Sequence, residues 1–98
     1  MTIEIKRNTE ETVVELGGRL DTTTAPALDK TISEDIAENT SLVLDLKGLE
    51  YISSAGLRVL LAAQKKLKKN GSMKLKNVCE EVMDVFEMTG FADILIIE

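Results

Sequence analysis

The groups best placed to do chemistry in this sequence are two adjacent serines. Ser53 and Ser54 precede Ala55-Gly56 where a helix is expected to begin. A hydroxyl at a helix N-terminus lies over N–H groups without intrahelical partners, at the positive end of the helix dipole. Such a position can hold a phosphate, which adds about −1.5 to −2 charges. The spacing therefore indicates either a phosphorylatable serine or a serine whose hydroxyl caps the helix, with Gly56 allowing close helix–sheet packing.

The residue types present in the sequence do not favour an enzyme. The sequence has no His, the most frequent general base at neutral pH. Cys79 has no Arg six positions later, as a cysteine phosphatase would require, and is expected to be a helix-start or core thiol. Asp45 lacks the paired acids of a receiver domain, and no G-x-x-x-x-G-K-[ST] loop is present. We expect no catalytic residue, no metal and no cofactor.

Charge and segment hydropathy limit which partners and which cellular location the sequence is compatible with. The net charge of −5 and the scarcity of aromatic residues argue against binding to nucleic acid. The longest uncharged apolar run, Val59–Ala63, is far shorter than the roughly 18 residues of a membrane span, and the first residues do not resemble a signal peptide. A single Cys allows no internal disulfide. We expect a monomeric cytoplasmic protein without membrane contact.

The hydrophobic pattern predicts five strands and three helices in the order β β α β α β α β. The predicted strands are Ile3–Ile5, Val14–Leu20, Leu42–Leu46, Met73–Lys76 and Ile94–Ile97. The predicted helices run from Thr23 or Thr24 to about Asn39, from about Ser54 to Lys69, and through Val82 and Phe86 to Gly90.

These elements predict a single α/β domain over residues 1–98, with a mixed, mostly parallel sheet on which the helices pack. The first two strands form a hairpin, whereas the strand–helix–strand connections imply right-handed parallel crossovers. The continuous apolar run Leu42–Leu46 is typical of a strand covered on both faces, and Lys47–Ser53 is expected to be a loop. Because sites in open α/β sheets gather at the carboxyl ends of strands, this loop is where we expect the site.

The whole chain resembles the STAS domain family and, within it, the bacterial anti-sigma factor antagonists. The resemblance is carried by several segments whose order and spacing match the family. These are Gly18-Arg19-Leu20-Asp21 with Thr24-Ala25-Pro26, the strand Leu42–Leu46, the segment Tyr51–Leu57, and Phe86–Phe91.

The resemblance implies roles for individual residues. With Gly56-Leu57 as the anchor, the serine that the family phosphorylates corresponds to Ser54, and Ser53 stands where the family usually has Asp. Asp21 matches the acidic residue of the first loop, which lies near the phosphoserine in relatives. The remaining residues expected around the phosphorylation site or in partner binding are Thr22, Thr23, Ala55, Gly56 and Arg58.

The resemblance also implies partners. The unphosphorylated protein would bind an anti-sigma factor, a serine kinase of the histidine-kinase-like ATPase fold, and so free a sigma factor. Phosphorylation of Ser54 would end this complex, and a PP2C-type phosphatase would reset it. Two alternatives stay open: a STAS regulatory subunit of a transporter or signalling scaffold, and a small enzyme that uses a cleft between Asp21 and Ser54.

Overall fold

The computed structural model describes all 98 residues and contains four strands, three α-helices and one 3₁₀ turn. The strands are β1 (Thr2–Arg7), β2 (Thr12–Leu20), β3 (Ser41–Ile52) and β4 (Ser72–Lys76). The helices are α1 (Ala25–Asp35), α2 (Ser54–Leu67) and α3 (Glu80–Thr89), and the 3₁₀ turn is Phe91–Asp93. The predicted α/β class and the predicted mixed sheet are confirmed.

The strands lie in one sheet in the order β1-β2-β3-β4. β1 and β2 form the predicted antiparallel hairpin, while β2–β3 and β3–β4 are parallel. Both crossovers therefore move across the sheet in the same direction. Since parallel crossovers are right-handed, two successive ones in the same direction place their helices on the same face of the sheet.

The core accordingly lies on one face of the sheet. A single cluster of 21 buried side chains joins the strands to all three helices. Val43, although only 5% exposed, does not belong to this cluster, because it points to the opposite face between Leu42 and Leu44. The prediction that β3 is covered on both faces holds at Leu42, Val43 and Leu44, which are at most 5% exposed. That the clustered core lies on a single face could not be predicted from β3 alone, because the helix-covered face depends on strand order.

The predicted loop 47–53 is largely strand. β3 continues to Ile52, and its second half pairs with β2 from Gly48 opposite Gly17 to Ile52 opposite Leu20. Lys47 and Gly48 are both exposed, which breaks the apolar alternation and made this stretch look like a loop. Backbone pairing with β2, rather than side-chain pattern, holds these residues extended.

The predicted fifth strand is wrong. Backbone N–H groups of Ile94 and Leu95 donate to the Phe91 carbonyl, so the 3₁₀ turn continues into this segment. Only one parallel bridge remains, between Leu75 and Ile97. Leu95 is buried, while Ile94 and Ile96 are exposed, so the apolar run that suggested a strand is only partly buried.

Two helices end earlier than predicted. α1 stops at Asp35 rather than about Asn39, because Ile36 takes an extended conformation that buries its side chain in the core. α2 ends at Leu67 rather than Lys69, and the following residues form a turn. No helix combines the length and the apolar character that crossing a bilayer demands. The monomeric state stays a prediction.

The single-faced core can be tested with matched substitutions at Val14 and Val43, which lie on neighbouring strands and are both buried. Val14→Thr places a hydroxyl in the apolar core and should lower the free energy of unfolding by about 1–3 kcal/mol. Val43→Thr places the hydroxyl outside the main cluster of apolar side chains and should therefore cost less than Val14→Thr. Urea unfolding of both variants measures the difference. Equal losses would contradict the arrangement.

Candidate functional site

The site is built where β2 and β3 end side by side. Leu20 and Ile52 are the last registered pair of these parallel strands. The Ser53 N–H then donates to the Leu20 carbonyl at 2.9 Å, which ties the two strand ends together. Asp21 and Ser53 are thus the first residues beyond adjacent carboxyl ends, as the sequence predicted.

Two register irregularities shape this end of the sheet. Between Asp45 and Gly48, and again between Leu49 and Tyr51, β3 has one residue more than β2. Such bulges bend a strand and redirect its side chains. The second bulge sets Tyr51 opposite Arg19, whose guanidinium lies 4.2 Å from the centre of the tyrosine ring.

Gly56 fixes the position of α2 on the strand ends. A Cβ atom there would lie 2.7 Å from Leu20 Cγ and 2.8 Å from Ile52 Cγ1. Real side chains do not approach so closely, so only glycine lets the first turn of α2 rest on these two residues. The structural interpretation of Gly56 is confirmed.

The two serines occupy different environments. Ser53 is the N-cap residue, yet its hydroxyl makes no capping hydrogen bond, so the prediction that a serine hydroxyl caps this helix is wrong. Ser53 Oγ is buried and has no hydrogen-bond partner. Ser54, the first residue of α2, is exposed. A kinase could therefore reach Ser54, whereas the Ser53 hydroxyl is shielded.

The electrostatic environment at the N-terminus of α2 favours an anion. No acidic residue lies in its first turn, and no side chain caps its free N–H groups. The first hydrogen bond of the helix runs from Leu57 N–H to the Ser53 carbonyl at 3.0 Å, so the preceding N–H groups have no intrahelical acceptor. Arg58 is exposed one turn later on the same side as Ser54.

The Asp21 loop is held by its own hydrogen bonds. Asp21 Oδ1 accepts from the Thr23 N–H at 3.0 Å and the Thr23 hydroxyl at 2.8 Å. It also accepts from the Thr24 N–H at 3.2 Å, while the Thr24 hydroxyl, likewise 3.2 Å away, has its shorter acceptor in the Arg19 carbonyl at 2.7 Å. The Thr23 hydroxyl is the main cause that lowers the pKa of Asp21, and together with the other Thr23 and Thr24 donors it outweighs the opposing effect of desolvation.

The second oxygen of Asp21 has a different partner. Arg19 Nε lies 3.8 Å from Asp21 Oδ2, with both side chains partly exposed. The Arg19 guanidinium is thus shared between Tyr51 and Asp21. The contact between Arg19 and Tyr51 was not predicted from the sequence, because it depends on the bulge in β3, which no local pattern reveals.

The other candidate groups have structural roles. Asp45 accepts from the Asn77 amide and the Lys47 N–H, each at 3.0 Å. Desolvation raises the pKa of Asp45, but these donors and the charges of Lys76 and Lys47 outweigh it, so the pKa lies below its usual value. Cys79 is the N-cap residue of α3, which confirms a helix-start thiol, and its Sγ lies 3.4 Å from the Leu49 carbonyl.

The structure brings most of the predicted site residues to one end of the molecule. Thr22, Ala55 and Arg58 line a cleft of about 350 Å³ between α1 and α2. Thr23 lies outside this cleft and holds Asp21 instead, and Gly56 lies beneath it in the core.

Comparison with known proteins agrees with this geometry. A family model described as the STAS domain matches residues 2–98. The chain is 32% identical over 96 residues to the anti-sigma-B factor antagonist of Bacillus subtilis, covering 97% of this chain and 88% of that protein. The crystal structure of an anti-sigma factor antagonist from Mycobacterium paratuberculosis aligns with a TM-score of 0.88 at 28% identity, over 98% of this chain and 83% of that one. The Bacillus cell fate determinant SpoIIAA in its phosphorylated form shares the fold, with a TM-score of 0.65 at 18% identity, over 99% and 91% of the two chains.

The close approach at Gly56 predicts that alanine at this position lowers the free energy of unfolding. At an open helical position, alanine would be favoured over glycine by up to about 1 kcal/mol. Gly56→Ala should instead lower the free energy of unfolding by about 1–3 kcal/mol, because Leu20 and Ile52 must move. Urea unfolding tests this, with Ala62→Gly on the exposed side of α2 reporting helix propensity alone. A more stable Gly56→Ala protein would show that the helix does not rest on the strand ends.

The hydrogen bonds to Asp21 predict a pH dependence. The Asp21 carboxyl should titrate below 3.8, and Thr23→Ala should move its midpoint upward. Because the folded-state pKa is lowered, the stabilisation is complete above the unfolded value and is lost as the pH falls through about 4 towards the folded pKa. NMR titration of the side-chain carboxyl carbon gives the midpoints. A midpoint at or above 3.8 in the wild type would refute the assigned hydrogen bonds.

Proposed function

The chain belongs to the STAS domain family, and we propose that it acts as an anti-sigma factor antagonist that is switched off by phosphorylation of Ser54. The observation that carries the proposal is the contrast between the two serines. Ser54 is exposed at the start of α2, while the Ser53 hydroxyl is buried. The family resemblance points to the same residue, because Ser54 has the spacing to Gly56-Leu57 that the phosphorylated serine has in relatives.

The unphosphorylated surface is the binding-competent one in this proposal. It comprises the β2–α1 loop from Asp21 to Thr23 and the first turns of α2, which share one end of the molecule. Hydrogen bonds from Thr23 and Thr24 to Asp21 Oδ1 hold this loop in one conformation. A partner that docks here would order few flexible groups, which limits the entropy lost on binding.

Phosphorylation would change this surface without changing the fold. The uncapped N–H groups of α2 and the absence of acidic residues from its first turn favour an anion at Ser54. The expected effect on stability is neutral or mildly favourable, about 0.3–1 kcal/mol. The partner, in contrast, meets a new charge that it must desolvate or repel, and an imperfectly paired interfacial charge costs about 2–5 kcal/mol.

The partners in this proposal are the ones that the resemblance to the family implies. The anti-sigma factor in this proposal is a serine kinase of the histidine-kinase-like ATPase fold, which phosphorylates Ser54, and a PP2C-type phosphatase removes the phosphate. The protein is a ligand and a kinase substrate rather than a catalyst. The lack of His in the sequence supports this role. We place the protein in the cytoplasm, where sigma factors act.

The proposal predicts that Ser54→Asp weakens binding far more than it affects stability. The anti-sigma factor is first identified by co-purification with the tagged wild type and mass spectrometry, then expressed for calorimetric titration. Ser54→Asp should bind at least about tenfold more weakly, since one carboxylate carries less charge than a phosphate, for which about 2–5 kcal/mol implies a loss of about 30- to 4,000-fold. Its melting temperature should stay within a few degrees of wild type, roughly the shift that 1 kcal/mol produces.

Matched alanine variants locate the acceptor. Ser54→Ala should bind like wild type and resist the kinase, whereas Ser53→Ala should still be phosphorylated. Phosphate incorporation that persists in Ser54→Ala but disappears in Ser53→Ala would reverse the assignment. Unchanged binding by Ser54→Asp, or binding lost only because the variant unfolds, would refute the switch.

A further inference from the structure

The α1–α2 cleft is the largest concave feature beside the proposed switch. Its apolar lining comes from Ala25 and Pro26 on α1 and from Ala55, Val59 and Ala62 on α2. The volume of about 350 Å³ corresponds to room for roughly ten water molecules. Small side chains on both helices leave this space open at the surface.

Two opposite charges flank the cleft. Asp29 lies on the α1 wall and Arg58 on the α2 wall, and both are exposed. Neither takes part in any of the ion pairs of the molecule, which join Lys6 to Glu15, Arg19 to Asp21, and Lys74 to Glu98. The two charges are thus free to meet a ligand that brings the complementary signs.

The cleft is continuous with the switch surface. Ala55 directly follows Ser54, and Thr22 belongs to the loop that begins at Asp21. A protein that contacts Ser54 therefore reaches the cleft without a break. In protein–protein interfaces, the region that contributes most of the binding energy has this arrangement, with an apolar centre and charged groups at its rim.

We infer that the α1–α2 cleft is the anchor pocket for the anti-sigma factor, which inserts one large apolar side chain there. A carboxylate of the partner pairs with Arg58, and a cationic side chain pairs with Asp29. This inference rests on the proposed function and adds where the binding energy comes from. It also explains how a phosphate on Ser54 acts, because the new charge sits at the mouth of the apolar pocket and beside Arg58, the group that the partner's carboxylate needs.

The test fills the cleft and leaves the switch intact. Ala62→Leu places a larger side chain in the cleft, whereas Ala27→Leu makes the same change at an exposed α1 position that does not line it. Both proteins are titrated with the anti-sigma factor recovered with the wild type. Ala62→Leu should weaken binding about tenfold or more, while Ala27→Leu should change it less than about twofold.

Charge reversal gives a second readout that does not depend on packing. Arg58→Glu and Asp29→Lys should each weaken binding about tenfold at low salt, with a smaller loss at high salt. Lys65→Glu, an exposed α2 change outside the cleft, is the matched control and should have less effect than Arg58→Glu. If Ala62→Leu proves unstable, these surface variants decide the question.

The outcomes separate this inference from the proposed function. If Ser54→Asp loses binding while Ala62→Leu and both charge reversals bind like wild type, the anchor pocket is wrong and the switch stands. If the wild type binds no anti-sigma factor, the proposed function fails and the pocket fails with it. A change in self-association without a change in anti-sigma binding would assign the cleft to a second copy of the chain and overturn the inference.

Discussion

The close packing of Gly56 on Leu20 and Ile52 is the constraint on which the site depends. These two residues end neighbouring parallel strands, and they leave no room for a Cβ atom at the third residue of α2. The helix can therefore start in only one place, with Ser53 turned inward and Ser54 outward. Asp21 follows Leu20 directly, so the same contact also fixes the neighbouring loop relative to the serine. A switch made of two short segments gains its precision from a rigid support of this kind.

The support comes from one side of the sheet. The uninterrupted strand order places both crossover helices on one face, where their side chains and those of α3 share a single core. α1 and α2 thereby lie side by side and form the walls of the cleft next to Ser54. The opposite face carries polar side chains with partners of their own, such as Lys6 with Glu15 and Asp45 with Asn77. The cleft, the loop from Asp21 to Thr24 and the exposed Ser54 are thus gathered at one end of the molecule, where helices and strand ends meet.

Much of this could be predicted from the sequence, for identifiable reasons. Helical spacing of apolar residues located the three helices, and alternation located the hairpin. The serine pair before Gly56 stood out because helix starts have recognisable residue preferences. Two of the features that were missed depend on long-range pairing. The extension of β3 to Ile52 and the meeting of Arg19 with Tyr51 follow from the register against β2, and the fifth strand was lost to a 3₁₀ turn. Neither strand order nor burial of the Ser53 hydroxyl leaves a local trace in sequence.

In the proposed mechanism, phosphate on Ser54 changes a surface and leaves the fold intact. The decisive measurement is amide hydrogen exchange, monitored by two-dimensional NMR, of the protein before and after phosphorylation. Exchange reports local stability residue by residue. Chemical shifts should change in the first turn of α2 and in the loop from Asp21 to Thr24, while exchange in β3 and in the body of α2 should stay as slow or become slower. Faster exchange across β2, β3 and α2 after phosphorylation would mean that the phosphate acts by unfolding the domain, and would contradict the claim.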